Sequence, residues 1–281
     1  MAEMKCSYTL DDIGESAVIV AAHPDDEILW FSSLLSRAKH ILICYLAIDA
    51  RPDWTNGRKQ VLDQFPLRNV QSLDLKETDV FDCSDWQYPK INSCGMEIRG
   101  QDCNRNQYEA NFHLLVDRLR TFLQPDTHVF THNPWGEYGH EEHVQVFRAV
   151  ETLQTEIGFH VWVPNFISNR SLPLMLNSKR MIDYRFLQAP SDPILASQIR
   201  ELYRRYNCWT WYWDFHWLKE EVFMKIAPRN QRRTVLGQTL PLHFIDVGEA
   251  GKTHPFVRKT DSLVRRLFRA RNRMFASRRR Y

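Results

Sequence analysis

Two runs of the chain, Ala17–Ala22 (AVIVAA) and Ile41–Ile48 (ILICYLAI), are apolar without interruption. A strand with one face in water alternates apolar and polar residues. A strand that does not alternate must be covered on both faces, as in a parallel sheet between two helical layers. Both runs are far shorter than the ~18 residues of a membrane span. Helical spacing follows each of them, in ILWFSSLLSRA (28–38) and across Arg58–Leu73. A helix over Tyr108–Leu123 then leads into the strand HVFTH (128–132). A helix through Val144–Leu153 leads into the strand HVWVPNF (160–166). This alternation predicts an α/β fold: a doubly wound, mostly parallel sheet with helices on both faces, over roughly the first 170 residues.

Beyond residue 166 the pattern weakens to a helix at Pro193–Tyr206, the aromatic block CWTWYWDFHW (208–217) and a strand around Glu221–Ile226. Residues 83–106, rich in Asp, Asn, Gly and Cys, read as a long surface loop. The domain reading is a catalytic unit over 1–250, with its motifs inside 17–166, followed by a smaller C-terminal extension over 251–281.

The 281 residues are 43% hydrophobic and 25% charged, which excludes a disordered chain, a collagen-like repeat and a coiled coil. A chain of this length buries roughly 75% of its unfolded surface, so its core needs no disulfide staples. The first residues, MAEMKCSYTLDDIGES, carry acids and no apolar signal core, which points to a cytoplasmic protein. The six cysteines form no CxxC pair and are expected to be reduced thiols. Three of them, Cys83, Cys94 and Cys103, cluster with a spacing that matches no zinc pattern.

Two segments put metal-binding side chains where an open α/β sheet places its active site, beyond the carboxyl ends of the strands. AHPDDE (22–27) follows the first strand, and GEYGHEEH (136–143) follows the strand that ends near His132. His23 and Asp26, three apart, can converge on one cation from a tight turn. His140 and His143, also three apart, share one face at a helix start. Two histidines and one carboxylate make a hydrolytic zinc set with a position open for water, and zinc lowers the pKa of that water to about 7. A further carboxylate remains beside the metal as a proton acceptor. Each motif alone has a plain structural reading, as a surface pair or a helix cap.

AHPDDE followed some 110 residues later by a loop ending in GHxxH resembles the LmbE-like (PIG-L) superfamily. Its members are zinc-dependent de-N-acetylases of N-acetylglucosamine conjugates with a Rossmann-like fold. The resemblance covers residues 17–166. It implies that His23, Asp26 and His143 hold one Zn2+ per chain, although other divalent metals suit the same donors. It further implies that Asp25 is the general base, and that His140 is the cationic group that stabilises the oxyanion or protonates the leaving amine. Tyr138 matches a tyrosine that some members place near the oxyanion. Glu142 stands where the family commonly has Asp, and is expected to orient His140. Glu27 is expected to support the loop from the start of the helix. Arg58 sits where members often carry a substrate-contacting arginine, with a solvated helix-start residue as the alternative. Asp49 and Trp135 are further candidates to line the crevice. His132 can touch the site or make a structural hydrogen bond.

Trp209, Trp211 and Trp213 alternate as one face of a strand would, suiting either a sugar-binding wall or a core or dimer contact. The net charge of +3 hides an asymmetry: residues 252–281 carry +10, and the preceding residues −7. The apolar residues of that segment recur at helical spacing, predicting a basic amphipathic helix. Such a helix suits an anionic membrane surface, placing the protein peripherally at the inner face; a protein contact and a solvated tail are the alternatives. No nucleic-acid partner is expected, and nothing indicates the oligomeric state.

The function expected is zinc-dependent removal of an N-acetyl group from an N-acetylated amino sugar in a glycoconjugate, polysaccharide precursor or specialised metabolite. The rivals are another zinc-hydroxide reaction on this fold, such as a hydratase or another N-acyl amidase, and a non-catalytic membrane-associated binding protein.

Overall fold

The structure, a computed structural model, describes residues 8–100 and 103–247. Its strands are β1 (Ala17–Ala21), β2 (His40–Ala47), β3 (Val70–Lys76), β4 (Ile91–Asn92), β5 (Gly95–Met96), β6 (His128–Thr131), β7 (His160–Pro164), β8 (Phe166–Ile167), β9 (Ile182–Pro190), β10 (Glu220–Ile226) and β11 (His243–Phe244). Its α-helices are α1 (Leu10–Ile13), α2 (Asp26–Trp30), α3 (Pro52–Asp63), α4 (Arg105–Arg120), α5 (Glu141–Ile157), α6 (Leu172–Ser178) and α7 (Pro193–Arg205). Seven strands form the central sheet in the order β3-β2-β1-β6-β7-β10-β9. The pairs from β3 to β7 are parallel, while β10 runs antiparallel to both its neighbours. The doubly wound, mostly parallel α/β fold is therefore the one observed.

The continuous apolar strands divide their side chains between two cores, because successive residues point to opposite faces. Val18 and Val20 of β1 join Leu115 and Leu119 of α4 and Val146 and Val150 of α5. Ala17, Ile19 and Ala21 join Val61 of α3, Leu29 of α2 and Ile199 of α7 on the other face. The chain winds from β1 outward through β2 to β3, then returns to lay β6 on the other side of β1. That reversal between β1 and β6 opens a crevice at their carboxyl ends. Register carries the alignment to its edge: Val20 pairs with Thr131, so Ala22 and His132 emerge side by side.

Several expectations are corrected. The helix expected over Arg58–Leu73 stops at Asp63; Pro66 intervenes and Val70–Lys76 is an edge strand, its alternation masked by polar residues on the exposed face. The helix expected after AHPDDE is a short α2 followed by a 3-10 turn, Ser32–Leu34. Strand β9 carried no recognisable pattern. The tryptophan block is irregular backbone, not a strand, so Trp209, Trp211 and Trp213 share no strand face. Thiol chemistry differs as well. Cys83 and Cys103 form a disulfide, because the loop between β3 and α4 folds back and brings their Cα atoms to 6.3 Å. Cys44, Cys94 and Cys208 are free and buried. Among the described residues no helix is long and apolar enough to cross a membrane. The basic amphipathic segment 252–281, with the expected boundary near 250, lies outside the described residues.

Candidate metal centre

The loop after β1 turns sharply at Asp25, whose backbone is left-handed with φ 99°. For a non-glycine residue that conformation needs outside support. Glu27 provides it, accepting the Asp25 N–H at 2.9 Å while the Tyr203 hydroxyl donates to its other oxygen at 2.8 Å. Glu27 thus supports the loop as expected, with burial pushing its carboxyl up to about 8. The turn leaves Asp25 and Asp26, both 2% exposed, at the mouth of β1. Asp26 Oδ2 accepts the His23 N–H at 2.8 Å, and Oδ1 accepts the Trp30 indole N–H at 2.8 Å.

The loop after β6 is folded around Gly136, which has φ 66° and approaches the chain so closely that a Cβ would lie 2.6 Å from the His140 carbonyl oxygen. This tight turn aims Glu137 inward, fully buried. Its Oε2 accepts from His143 Nδ1 at 2.7 Å and from His132 Nδ1 at 2.9 Å, and its Oε1 accepts from the Asn133 N–H at 2.7 Å. The second nitrogen of His132 accepts the Ala22 N–H at 2.8 Å, so His132 ties the two loops together structurally.

The remaining nitrogens converge. His143 Nε2 lies 3.3 Å and His23 Nδ1 3.2 Å from Asp26 Oδ2, and the ligand atoms of these three residues all fall within 4.8 Å of one another. The outer nitrogen of each imidazole is committed to a carboxylate, that of His143 to Glu137 and that of His23 to Glu142 Oε2 at 2.9 Å. With those protons assigned by the hydrogen-bond partners, both rings turn an unprotonated nitrogen towards Asp26. His143 Nε2 is buried and has no hydrogen-bond partner. Two lone pairs and a carboxylate facing one another call for a cation, and the carboxylate behind each histidine is the usual outer support of such a ligand. The same field attracts protons. Against the opposing effect of burial, Asp26 and Glu137 raise His143 to about 9, while Glu77, Asp26 and Glu142 hold His23 well above the imidazole range. Despite burial, His143 and His132 hold Asp26 well below the carboxylate range.

Asp25 and His140 flank this set. Burial, with the adjacent charge of Asp26, pushes Asp25 up to about 7. The His140 ring stacks on His143 at 4.7 Å, and its Nδ1 accepts the Glu142 N–H at 3.1 Å, capping α5. That leaves Nε2 as the donor. Burial, reinforced by His23 and His143, holds His140 well below its usual value. The side chain of Glu142 lies within 4.8 Å of a His140 nitrogen but spends its hydrogen bonds elsewhere. It bonds His23 and the N–H and hydroxyl of Thr78, at 2.7 and 2.8 Å, because the longer carboxylate extends past the neighbouring ring. The Tyr138 ring lies 5.9 Å from His140 and 5.3 Å from His143, and Phe81 and Trp211 lie at 6.4 and 4.9 Å from Tyr138. Aromatic rings from three separate connections thus border the site.

Two lining candidates are placed elsewhere, and the third, Arg58, is buried within electrostatic reach of Asp25. Trp135 is fully buried and gives its indole N–H to the Phe166 carbonyl at 2.7 Å, so it is core. Asp49 is at the surface in an ion pair with Lys76 at 3.0 Å. Arg58 is not solvated: it is 2% exposed and paired with Glu77 and the Leu46 carbonyl. Sequence reasoning missed Glu137, whose only signal was a carboxylate between two glycines. It also missed Thr78 and Thr210, which carried no signal.

No protein-family model matches the chain, and no curated protein does. Among solved structures it is similar to the zinc-inhibited form of teicoplanin deacetylase Orf2, at 12% identity and a TM-score of 0.48, covering 76% of this chain and 99% of that one. It is also similar to a deacetylase–teicoplanin complex from the teicoplanin biosynthesis pathway, at 12% identity and a TM-score of 0.45, covering 75% and 98%.

Proposed function

We propose that the protein is a metal-dependent hydrolase that removes the N-acetyl group from an N-acetylated amino sugar. The observation that carries this reading is the buried, unpartnered Nε2 of His143 facing Asp26, with Asp25 next to Asp26 in the same turn and His140 stacked on His143. An acetamide is a poor electrophile with a poor leaving group. It needs an activated water, a donor for the developing oxyanion and a proton for nitrogen. His23, Asp26 and His143 would hold the cation, zinc or a similar divalent ion, which supplies Lewis acidity and acidifies water. Asp25 takes the proton of the attacking water and returns it to the departing amine nitrogen as the C–N bond breaks, giving acetate and a free amine. The His140 Nε2–H donates to the carbonyl oxygen as charge develops there. Tyr138, whose hydroxyl has no hydrogen-bond partner among the described residues, is a second donor at the same border. The rings of Phe81, Tyr138 and Trp211 suit the apolar face of a sugar.

The test is release of acetate and free amine across a panel of N-acetyl sugars, with and without a chelator. The expected result is hydrolysis abolished by the chelator and restored by zinc. No release from any member, or release untouched by the chelator, overturns the reading.

A further inference from the structure

Asp25 is gripped by a residue from far along the chain. Thr210 lies 185 positions away, in the irregular connection between α7 and β10. Both of its donors converge on one carboxylate oxygen: the backbone N–H lies 3.2 Å from Asp25 Oδ2, and the hydroxyl bonds the same atom. Asp25 Oδ1 receives no hydrogen bond from the described residues. A carboxylate with one oxygen doubly held cannot rotate freely, and the other oxygen is left for a proton.

The connection that carries Thr210 is itself anchored on both sides. Cys208, fully buried, gives its N–H to the Tyr203 carbonyl at 2.9 Å. It packs so tightly on α3 that a Cβ on Gly57 would lie 3.2 Å from the Cys208 sulfur. On the other side, the Trp211 ring meets Trp30 at 5.5 Å and Tyr138 at 4.9 Å. Tyr203, which begins this stretch, also holds Glu27 and through it the backbone of Asp25. Backbone and carboxylate of one aspartate are therefore set by one continuous piece of chain.

We infer that Thr210 is a positioning residue for Asp25, fixing which carboxylate oxygen meets the attacking water. The inference rests on the hydrolase reading above. Thr210 transfers no proton; it donates to Oδ2 throughout while Oδ1 accepts from water and passes the proton to nitrogen. Misplacing a reacting group by an ångström is enough to cost about 10²-fold in rate.

The test compares Thr210→Val, which keeps the shape and removes the hydroxyl, with Thr210→Ser, which keeps the hydroxyl. Expected for Thr210→Val is a kcat roughly 10- to 100-fold lower, KM within about twofold and wild-type metal content. Expected for Thr210→Ser is recovery to within about threefold. A Val variant with wild-type kcat, a Ser variant no better than Val, or loss of metal in step with activity overturns the inference. Should the wild type hydrolyse nothing, the hydrolase reading falls by itself. A crystal structure of Thr210→Val then decides the positioning role: a rotated Asp25 carboxylate supports it, and an unmoved one overturns it.

Discussion

Glu137 Oε2 lies 2.7 Å from Nδ1 of His143, inside the turn that joins β6 to α5. The carboxylate fixes the ring so that the other nitrogen faces Asp26, and its charge makes that nitrogen a better donor. Glu137→Gln keeps the shape and removes the charge. We expect metal affinity to fall about 10- to 100-fold, with activity recovered at high metal concentration. Competition against a chromogenic chelator measures it, and unchanged affinity refutes the role.

The ligands and the reacting groups separate by metal content. Asp26→Ala and His143→Ala should purify without bound metal. Asp25→Asn and His140→Ala should retain it and lose turnover by about 10²- to 10⁴-fold. Elemental analysis beside steady-state kinetics makes the distinction. An active Asp25→Asn enzyme contradicts the assignment.

The Cys83–Cys103 bridge closes a loop with a sequence separation of 20 that also carries Ser84 and Trp86, both bonded to Glu141. Loop-closure entropy alone gives about 3 kcal/mol for a loop of this size. Replacing both cysteines by Ser should lower Tm by roughly 5–10 °C. Alkylation of the unreduced wild type, followed by mass spectrometry, should leave these two sulfurs unmodified. Modification of both refutes the pairing.

His128 carries a pH dependence away from the metal. Burial, then His160 and Lys225, lowers it to about 4, and its Nδ1 accepts the Trp162 indole N–H at 3.0 Å. Protonating that nitrogen would set two donors against each other. The folded value lies below the unfolded ~6.5, so the unfolded chain binds more protons between them. Stability is complete above pH 6.5 and drains away as pH falls towards 4. His128→Gln, which keeps an acceptor, should flatten the difference between denaturation midpoints at pH 7.5 and 4.5. An identical slope in both proteins rules His128 out.

The sheet was legible wherever burial on both faces left an uninterrupted apolar run. Edge strands were not, since β3 spends its outer face on Gln71, Asp74 and Lys76 and β9 on Asp183 and Gln188, and those residues read as loop or helix. The convergence of His23, Asp26 and His143 was legible because both motifs lie next to buried strands and local spacing brings their side chains together. Their supports were not. Glu142 holds His23 across 119 positions and Thr210 holds Asp25 across 185, distances over which no periodicity connects residues. Trp135 misled because it directly precedes the motif, while its indole is turned into the core and bonded to the Phe166 carbonyl.

Because β1 and β6 are direct neighbours, the two halves of the metal centre are registered by sheet hydrogen bonds and by the Ala22–His132 contact. The intervening chain, with β2, β3 and the disulfide-closed loop, leaves and returns to brace the second half from outside, through Thr78 on Glu142 and Ser84 and Trp86 on Glu141. Phe81 lies on the same excursion, its ring 5.1 Å from that of His140. Alignment of the candidate donors and the bracing behind them thus come from different stretches of one polypeptide, the first from adjacent strands and the second from a loop closed on itself by a disulfide.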